Sequence, residues 1–345
     1  MRSPATRGVW VVADPTSAAE RSRAPLADPA FHHAIARSRT GEGPLLGVLL
    51  GERLARRRGP GGLTVAQAWA ESGAEVALIA DADPSNQANT RRLLVDGAAS
   101  VIAWGNRIRE LGATMACWHT IAGSPAELVP ATAEVVAALV DSGLDPMVRV
   151  SVPGASIDAP HALSWLGGLL TGLESRGYDL TTLTLAVPMP IAPHAGQGLG
   201  ARLVDGLVAA VPDRLRAVVV ISSRDHLHLA QADAGELAQA LSRRVTPWPV
   251  VHSAGDLALR AAGAWWLAPD LAGGAARRFD RILELLARPT GPTFTGRPLD
   301  DTAAEPPASI AIARPRREFD TSLFRSRSLY RRPTGQRQDP PVTQR

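Results

Sequence analysis

The chain contains no lysine: all 37 of its basic residues are arginine. That absence removes one whole branch of chemistry. No side-chain amine is present to form a Schiff base with a carbonyl, to act as a depressed-pKa base, or to clamp a phosphate as a point charge. Cysteine is nearly absent as well. The single Cys117 cannot close an internal disulfide, so a reducing, cytoplasmic setting is the expectation. No run approaches the eighteen or so apolar residues needed to span a bilayer, so the chain is not expected to be transmembrane. The N-terminal stretch MRSPATRGVWVVADP has no apolar core followed by a small-residue cleavage site, and no signal peptide is expected.

Hydrophobic residues make up 45% of the 345, enough for one large α/β domain or two ordinary ones. The charge is uneven. From Ala313 onward nine arginines face only Glu318, Asp320 and Asp339, a local balance of +6. The whole chain is +4, so residues 1–312 come to about −2. A near-neutral body with a basic tail does not suit a broad nucleic-acid-gripping face.

Apolar, β-branched runs alternate with amphipathic stretches. Strands are expected at 8–13, 44–50, 75–80, 100–104, 113–118, 147–152, 180–187, 215–222 and 248–253. Most are continuously apolar, as parallel strands covered on both faces are. Helices are expected from Ser124 to Gly143, from about Ala159 to Gly177, after the Gly196-Gly198-Gly200 cluster, from Asp233 to Val245, and over residues 272–288. This order predicts a doubly wound, mostly parallel sheet with helices on both faces. The chain divides into an irregular N-terminal arm with one strand (1–42), the α/β domain (43–288) and a Pro/Arg-rich tail expected to be disordered (289–345).

The run VALIADADPSNQANTRRL ends a buried strand in Asp81 and Asp83. In a doubly wound sheet ligands bind beyond the carboxyl ends of the strands, where such a pair suits Mg²⁺; the same pair can equally be a solvated Asp-Pro turn. The segment resembles the ParA/MinD family of partition and positioning ATPases, whose members end a strand in a DxDPQ signature. RGPGGLTVAQAWAESGAEVALIADADP is similar to a shortened phosphate loop, helix and second strand of that family. Three further matches in outline, MVRVSVPGAS, the 215–241 segment and the 247–288 segment, extend the resemblance over 58–287. It implies a P-loop fold, with Gly59, Gly61, Gly62, Thr64, Asp81 and Asp83 around ATP or ADP and Mg²⁺. Departures accompany it: Leu63 stands at the lysine position, Arg58 at the signature lysine and Ser151 at the switch aspartate. The resemblance therefore implies a non-hydrolysing or weakly nucleotide-binding scaffold or regulator in partition or positioning, with a protein partner, and is compatible with a homodimer.

A second reading is a metal-dependent hydrolase or nuclease. His226 and His228 have the i, i+2 spacing that puts two rings on one side of an extended chain, with Asp225 beside them, and His119, His194 and His252 lie near strand ends. A Toprim-like site would use Asp81 and Asp83 with Glu42. The glycines at 196, 198 and 200 could seat a phosphate or simply form a β–α turn. Cys117 is expected in the core, and Trp265 and Trp266 in packing or at an interface. The arginine- and aromatic-containing tail offers weak contact with nucleic acid or an acidic surface.

Overall fold

The computed structural model describes residues 8–13, 24–39, 43–79, 97–122, 128–152, 157, 160–190, 198–224 and 226–288. Its eight strands are β1 (Val9–Ala13), β2 (Leu45–Gly51), β3 (Glu75–Ile79), β4 (Met115–Ile121), β5 (Asp145–Ser151), β6 (Thr184–Pro188), β7 (Ala217–Ile221) and β8 (Val250–Ser253). Each pairs in parallel with the next, and β8 returns to β1 through Val9 opposite His252 and Trp10 opposite Ser253. The sheet is a closed barrel, not the open doubly wound sheet expected. The correction has a plain cause. Both architectures bury parallel strands on two faces and so share one local pattern; only the β1–β8 pairing, between opposite ends of the chain, distinguishes them.

The helices are α1 (Pro29–Arg37), α2 (Glu52–Ala55), α3 (Val65–Glu71), α4 (Ala98–Glu110), α5 (Leu128–Asp141), α6 (Pro160–Glu174), α7 (Leu199–Ala210), α8 (Leu227–Arg243), α9 (Leu257–Trp266) and α10 (Ala275–Ala287). The expected strand at 100–104 lies inside α4. There Val101, Trp104, Gly105 and Ile108 are buried, the i, i+3, i+4, i+7 face of an amphipathic helix. Residues 1–42 contribute β1 to the barrel and α1 to its coat. Asp28 caps α1 by accepting the Ala30 N–H at 2.9 Å, and proline opens the helix. The 289–345 tail lies outside the described residues. Among the described residues no helix is long and apolar enough to cross a membrane.

Alternation along the strands divides the core in two. Trp10, Val12, Leu49, Ala77, Ile79, Met115, Cys117, Met147, Ala186, Val219, Ile221 and Val251 fill the barrel, with every strand contributing. The other parity packs outward on the helices, as Val9, Val11, Val48 and Leu50 do. Gly47 is glycine for space, since a Cβ there would stand 2.5 Å from the Trp10 ring. At the amino-terminal mouth Arg216 joins Glu75 and reaches Asp145 at 2.6 Å, tying β3, β5 and the start of β7 across the opening.

His32, buried in the coat, is paired at both ring nitrogens, which fixes its tautomer. His32 Nε2–H donates to the Leu26 carbonyl at 2.9 Å, while Nδ1 accepts the Trp69 indole N–H at 3.4 Å. Burial lowers the His32 pKa to about 4, and burial does the same at His252. A native state holding these rings neutral binds fewer protons than the unfolded chain between about pH 4 and 6.5. Their contribution is complete above the unfolded value and is lost as pH falls toward 4. Urea unfolding should therefore show stability falling by about 2 kcal/mol per buried histidine between pH 6.5 and 5. A pH-independent midpoint over that interval would refute the neutral assignment.

Candidate functional site at the carboxyl end of the barrel

The interior is apolar at the level of Met115, Cys117 and Met147. Continuing by twos along the same strands gives His119 on β4 and Arg149 and Ser151 on β5. His119 lies opposite Arg149 in the register and Ile121 opposite Ser151, so the three polar side chains form one inward patch near the strands' carboxyl ends. All three are half-buried. His119 Nε2 lies 2.6 Å from Ser151 Oγ, and the tautomer decides which of the two donates. Burial, reinforced by the charge of Arg149, lowers the His119 pKa to about 4. The ring is therefore neutral at pH 7, able to take up a proton, and beside a permanent cation.

The loops after β7 and β8 are locked to each other. Ser222 N–H donates to the Ser253 carbonyl at 2.7 Å, and the Val12 N–H donates to the Gly255 carbonyl at 2.8 Å. Gly255 has φ +59°, and a Cβ there would lie 3.0 Å from the Ser222 carbonyl oxygen. Asp233, buried on α8, accepts from Ser222 Oγ at 2.7 Å and from Nε and Nη2 of Arg224 at 2.9 and 3.1 Å. Arg260 extends the network, donating to the Arg224 carbonyl at 3.2 Å and to Asp256 at 2.8 Å. The fork-on-carboxylate geometry holds the β7 loop as a rigid wall of the mouth.

Among the described residues, those predicted from the sequence do not converge on one site. Thr64 caps α3 in a capping box with Gln67 and donates its hydroxyl to the Leu111 carbonyl at 3.2 Å. The Gly59 N–H donates to Leu63 and the Gly62 N–H to Gly59, both at 3.1 Å, so the turn uses these donors internally. Gly61 and Gly62 have φ near +85°, and Arg37, at the end of α1, donates to the Pro60 carbonyl at 3.1 Å. This turn lies where α1 and α4 return toward the strands' amino ends, away from His119. Asp81 and Asp83 lie outside the described residues, as do Glu42, His194, Gly196 and Asp225. His226 precedes α8 and His228 lies in its first turn, with rings stacked 5.6 Å apart. Among the described residues no group of three or more His, Cys, Asp or Glu is arranged to hold a metal ion.

Gly198 starts α7 at φ +66°, and Gly200 is a packing glycine whose Cβ would stand 2.6 Å from the Glu236 carbonyl oxygen of α8. Trp266 packs edge-on against Phe31 and donates to Asp28 at 3.1 Å, and Arg278 sits over Trp265. From the sequence alone His119 stands only within a candidate metal set, and Arg149 has no assigned role. The available signal was the polar pair at i, i+2 closing the VRVS strand.

A scan of protein-family models finds no match, and a search of curated proteins finds none. Among solved structures the chain is similar to fructose-bisphosphate aldolase from Plasmodium falciparum, determined in a ternary complex with TRAP and a small-molecule inhibitor. Sequence identity is 14%, the match covers 82% of this chain and 90% of that one, and the TM-score is 0.62. At that identity the likeness establishes the fold, an eight-stranded parallel barrel ringed by helices. It overturns the ParA/MinD resemblance. With no P-loop sheet, the phosphate-loop assignment and the pseudo-ATPase scaffold lose the fold they required. The metal-dependent hydrolase alternative gains no support either.

Replacing Asp233 with alanine leaves Arg224 largely buried without its carboxylate and Ser222 without its acceptor. Chemical denaturation should show a loss of about 3 kcal/mol. Unchanged stability in Asp233→Ala would mean the network does not hold the β7 loop.

Proposed function

We propose that the chain is a barrel enzyme that binds a small anionic substrate at the carboxyl end and moves a proton on it without a covalent intermediate. The observation that carries this reading is the inward trio: a neutral His119 within 2.6 Å of Ser151, beside Arg149. Enzymes of this fold hold their chemistry at that end of the barrel. In this reading Arg149 neutralises a carboxylate or phosphate, and its planar fork fixes the orientation of the anion. His119 acts as general base and then returns the proton as general acid. Ser151 holds the imidazole and relays its orientation, while the apolar layer beneath excludes water from the reacting atoms.

The structural neighbour's name speaks of an aldolase acting on fructose bisphosphate, and a phosphorylated hydroxy-carbonyl compound fits the same charge and size class. The chain cannot use a lysine imine for such chemistry, because it has no lysine. Acid–base catalysis is the route its own residues offer.

The test is hydrogen–deuterium exchange at carbon, followed by NMR, on dihydroxyacetone phosphate, pyruvate and fructose 1,6-bisphosphate. Wild-type protein should accelerate exchange on at least one of them. His119→Gln should slow it by about 10²–10⁴-fold, and Arg149→Leu should weaken binding of the anion. The acid limb of kcat/KM should fall near pH 4, because protonation of His119 removes the base. Borohydride with a bound carbonyl compound should leave every side chain unlabelled. Exchange that persists in His119→Gln, or no exchange on any of these compounds, would count against the proposal.

A further inference from the structure

A second cavity lies far from this site. It has a volume of about 680 Å³ and opens beside Gly8 and Pro44, the residues that precede β1 and β2, at the amino end of the barrel. Leu237 and Leu241 of α8, Val250 of β8 and Leu286 of α10 give it aliphatic walls, and Glu284 and Arg288 supply its charged part. Arg288 is also where the chain leaves the barrel. Pro289 follows it and denies it helical geometry, so α10 stops and Arg288 turns off at φ −111° and ψ 72°. The chain therefore departs from the wall of the cavity itself.

The segment that departs there narrows what can fill the cavity. It reads PTGPTFTGRPL from 289 to 299. Phe294 is its first large apolar side chain, and the stretch from 289 to 294 spans up to about 20 Å when extended, enough to cross the cavity. Gly291 and Gly296 on either side let the backbone reverse. Residues 1–7, which enter the domain beside Gly8, offer only Met1 as a large apolar group. Glu284 and Arg288 suit a peptide, whose N–H groups pair with a carboxylate and whose carbonyls pair with a guanidinium. A tethered segment also competes at an effective concentration of the order of millimolar, which a second copy or a free molecule would have to exceed. From these observations we infer that the cavity between α8, α10 and β8 is the docking site of the chain's own segment 289–299, with Phe294 seated among Leu237, Leu241 and Leu286. The docked ring is withdrawn from water together with the leucines, and the first part of the C-terminal extension is held against the amino end of the barrel. The contact is separate from the His119 trio and does not depend on what that trio does.

The full chain is treated briefly with chymotrypsin and the fragments are identified by mass spectrometry. The extension carries its own reference sites at Phe319, Phe324 and Tyr330, and each rate is normalised to the same bond in a synthetic peptide of residues 289–330. Cleavage after Phe294 should be slower than at the reference sites by about tenfold or more, the population effect of burying one phenyl ring. Ala238→Trp, which fills the cavity from α8, should raise cleavage after Phe294 to the reference rate and leave the references unchanged. In a second measurement p-benzoylphenylalanine replaces Phe294 and is irradiated in an equal mixture of isotope-labelled and unlabelled chains. The cross-link should fall on peptides of α8 or α10 within the same chain. The inference is overturned if Phe294 is cut as fast as the references, or if Ala238→Trp folds and leaves Phe294 protected. It is equally overturned if the cross-link falls outside α8, α10 and β8, or if it joins labelled to unlabelled chains, which would make a second copy the occupant. Should Ala238→Trp fail to fold, the cross-link decides alone.

Discussion

Closure of β8 onto β1 is the constraint on which the rest of the molecule depends. The contact is small, Val9 opposite His252 and Trp10 opposite Ser253. Its consequences are not. Once the last strand pairs with the first, the sheet has no edge to protect and each strand has one face toward the axis. Inward positions must then fill a closed tube, so residues such as Cys117 and Ala186 become barrel core. Closure also brings the strands' carboxyl ends onto one rim. Residues as distant as His119 and Ser253 belong to the same opening because of it.

That rim and the opposite mouth use charge differently. At the amino end Arg216 is satisfied by Glu75 and Asp145, two carboxylates for one guanidinium, and the result is a brace. At the carboxyl end Arg149 lies beside a histidine whose proton affinity it reduces. In the proposed function an incoming anion adds negative charge beside both groups and raises the basicity of His119 as it binds, so that substrate binding and activation of the base are one electrostatic event.

Much of the secondary structure was legible in the sequence. The strands from GVWVVA to PVVHS read correctly because burial on both faces leaves a continuous apolar run. SVIAW failed because five apolar-rich residues fit either period, and only the later Ile108 reveals the helical face. Closure was not legible, since it is a contact between the two ends of the described domain. The ParA/MinD resemblance arose from the same ambiguity. Any parallel β/α unit tends to finish an apolar strand in polar residues and to enter its helix through glycine or a capping Thr, as ALIADADP and GGLT do. Thr64 shows how such a match misleads: its hydroxyl serves the Gln67 N–H and the Leu111 carbonyl. The trio at 119, 149 and 151 could be read only after the parity of β4 and β5 was known. Met115, Cys117 and His119 then fall on one line, and Met147, Arg149 and Ser151 on the next.

The missing lysine has different consequences at different places. On the surface, arginine replaces it with little effect, as in the i, i+4 pair of Arg56 with Glu52. In a site the two are not interchangeable. Arginine remains protonated in any environment this fold provides, so it cannot become a nucleophile or a base. A barrel built without lysine must therefore assign anchoring and proton transfer to separate groups. Arginine can only anchor. Transfer falls to a group that can be neutral near pH 7, and His119 is held in that state by burial and by Arg149 itself. In the proposed function the division of labour at the carboxyl rim follows from composition as much as from geometry: a fixed cation and a neutral imidazole, placed opposite each other on adjacent strands.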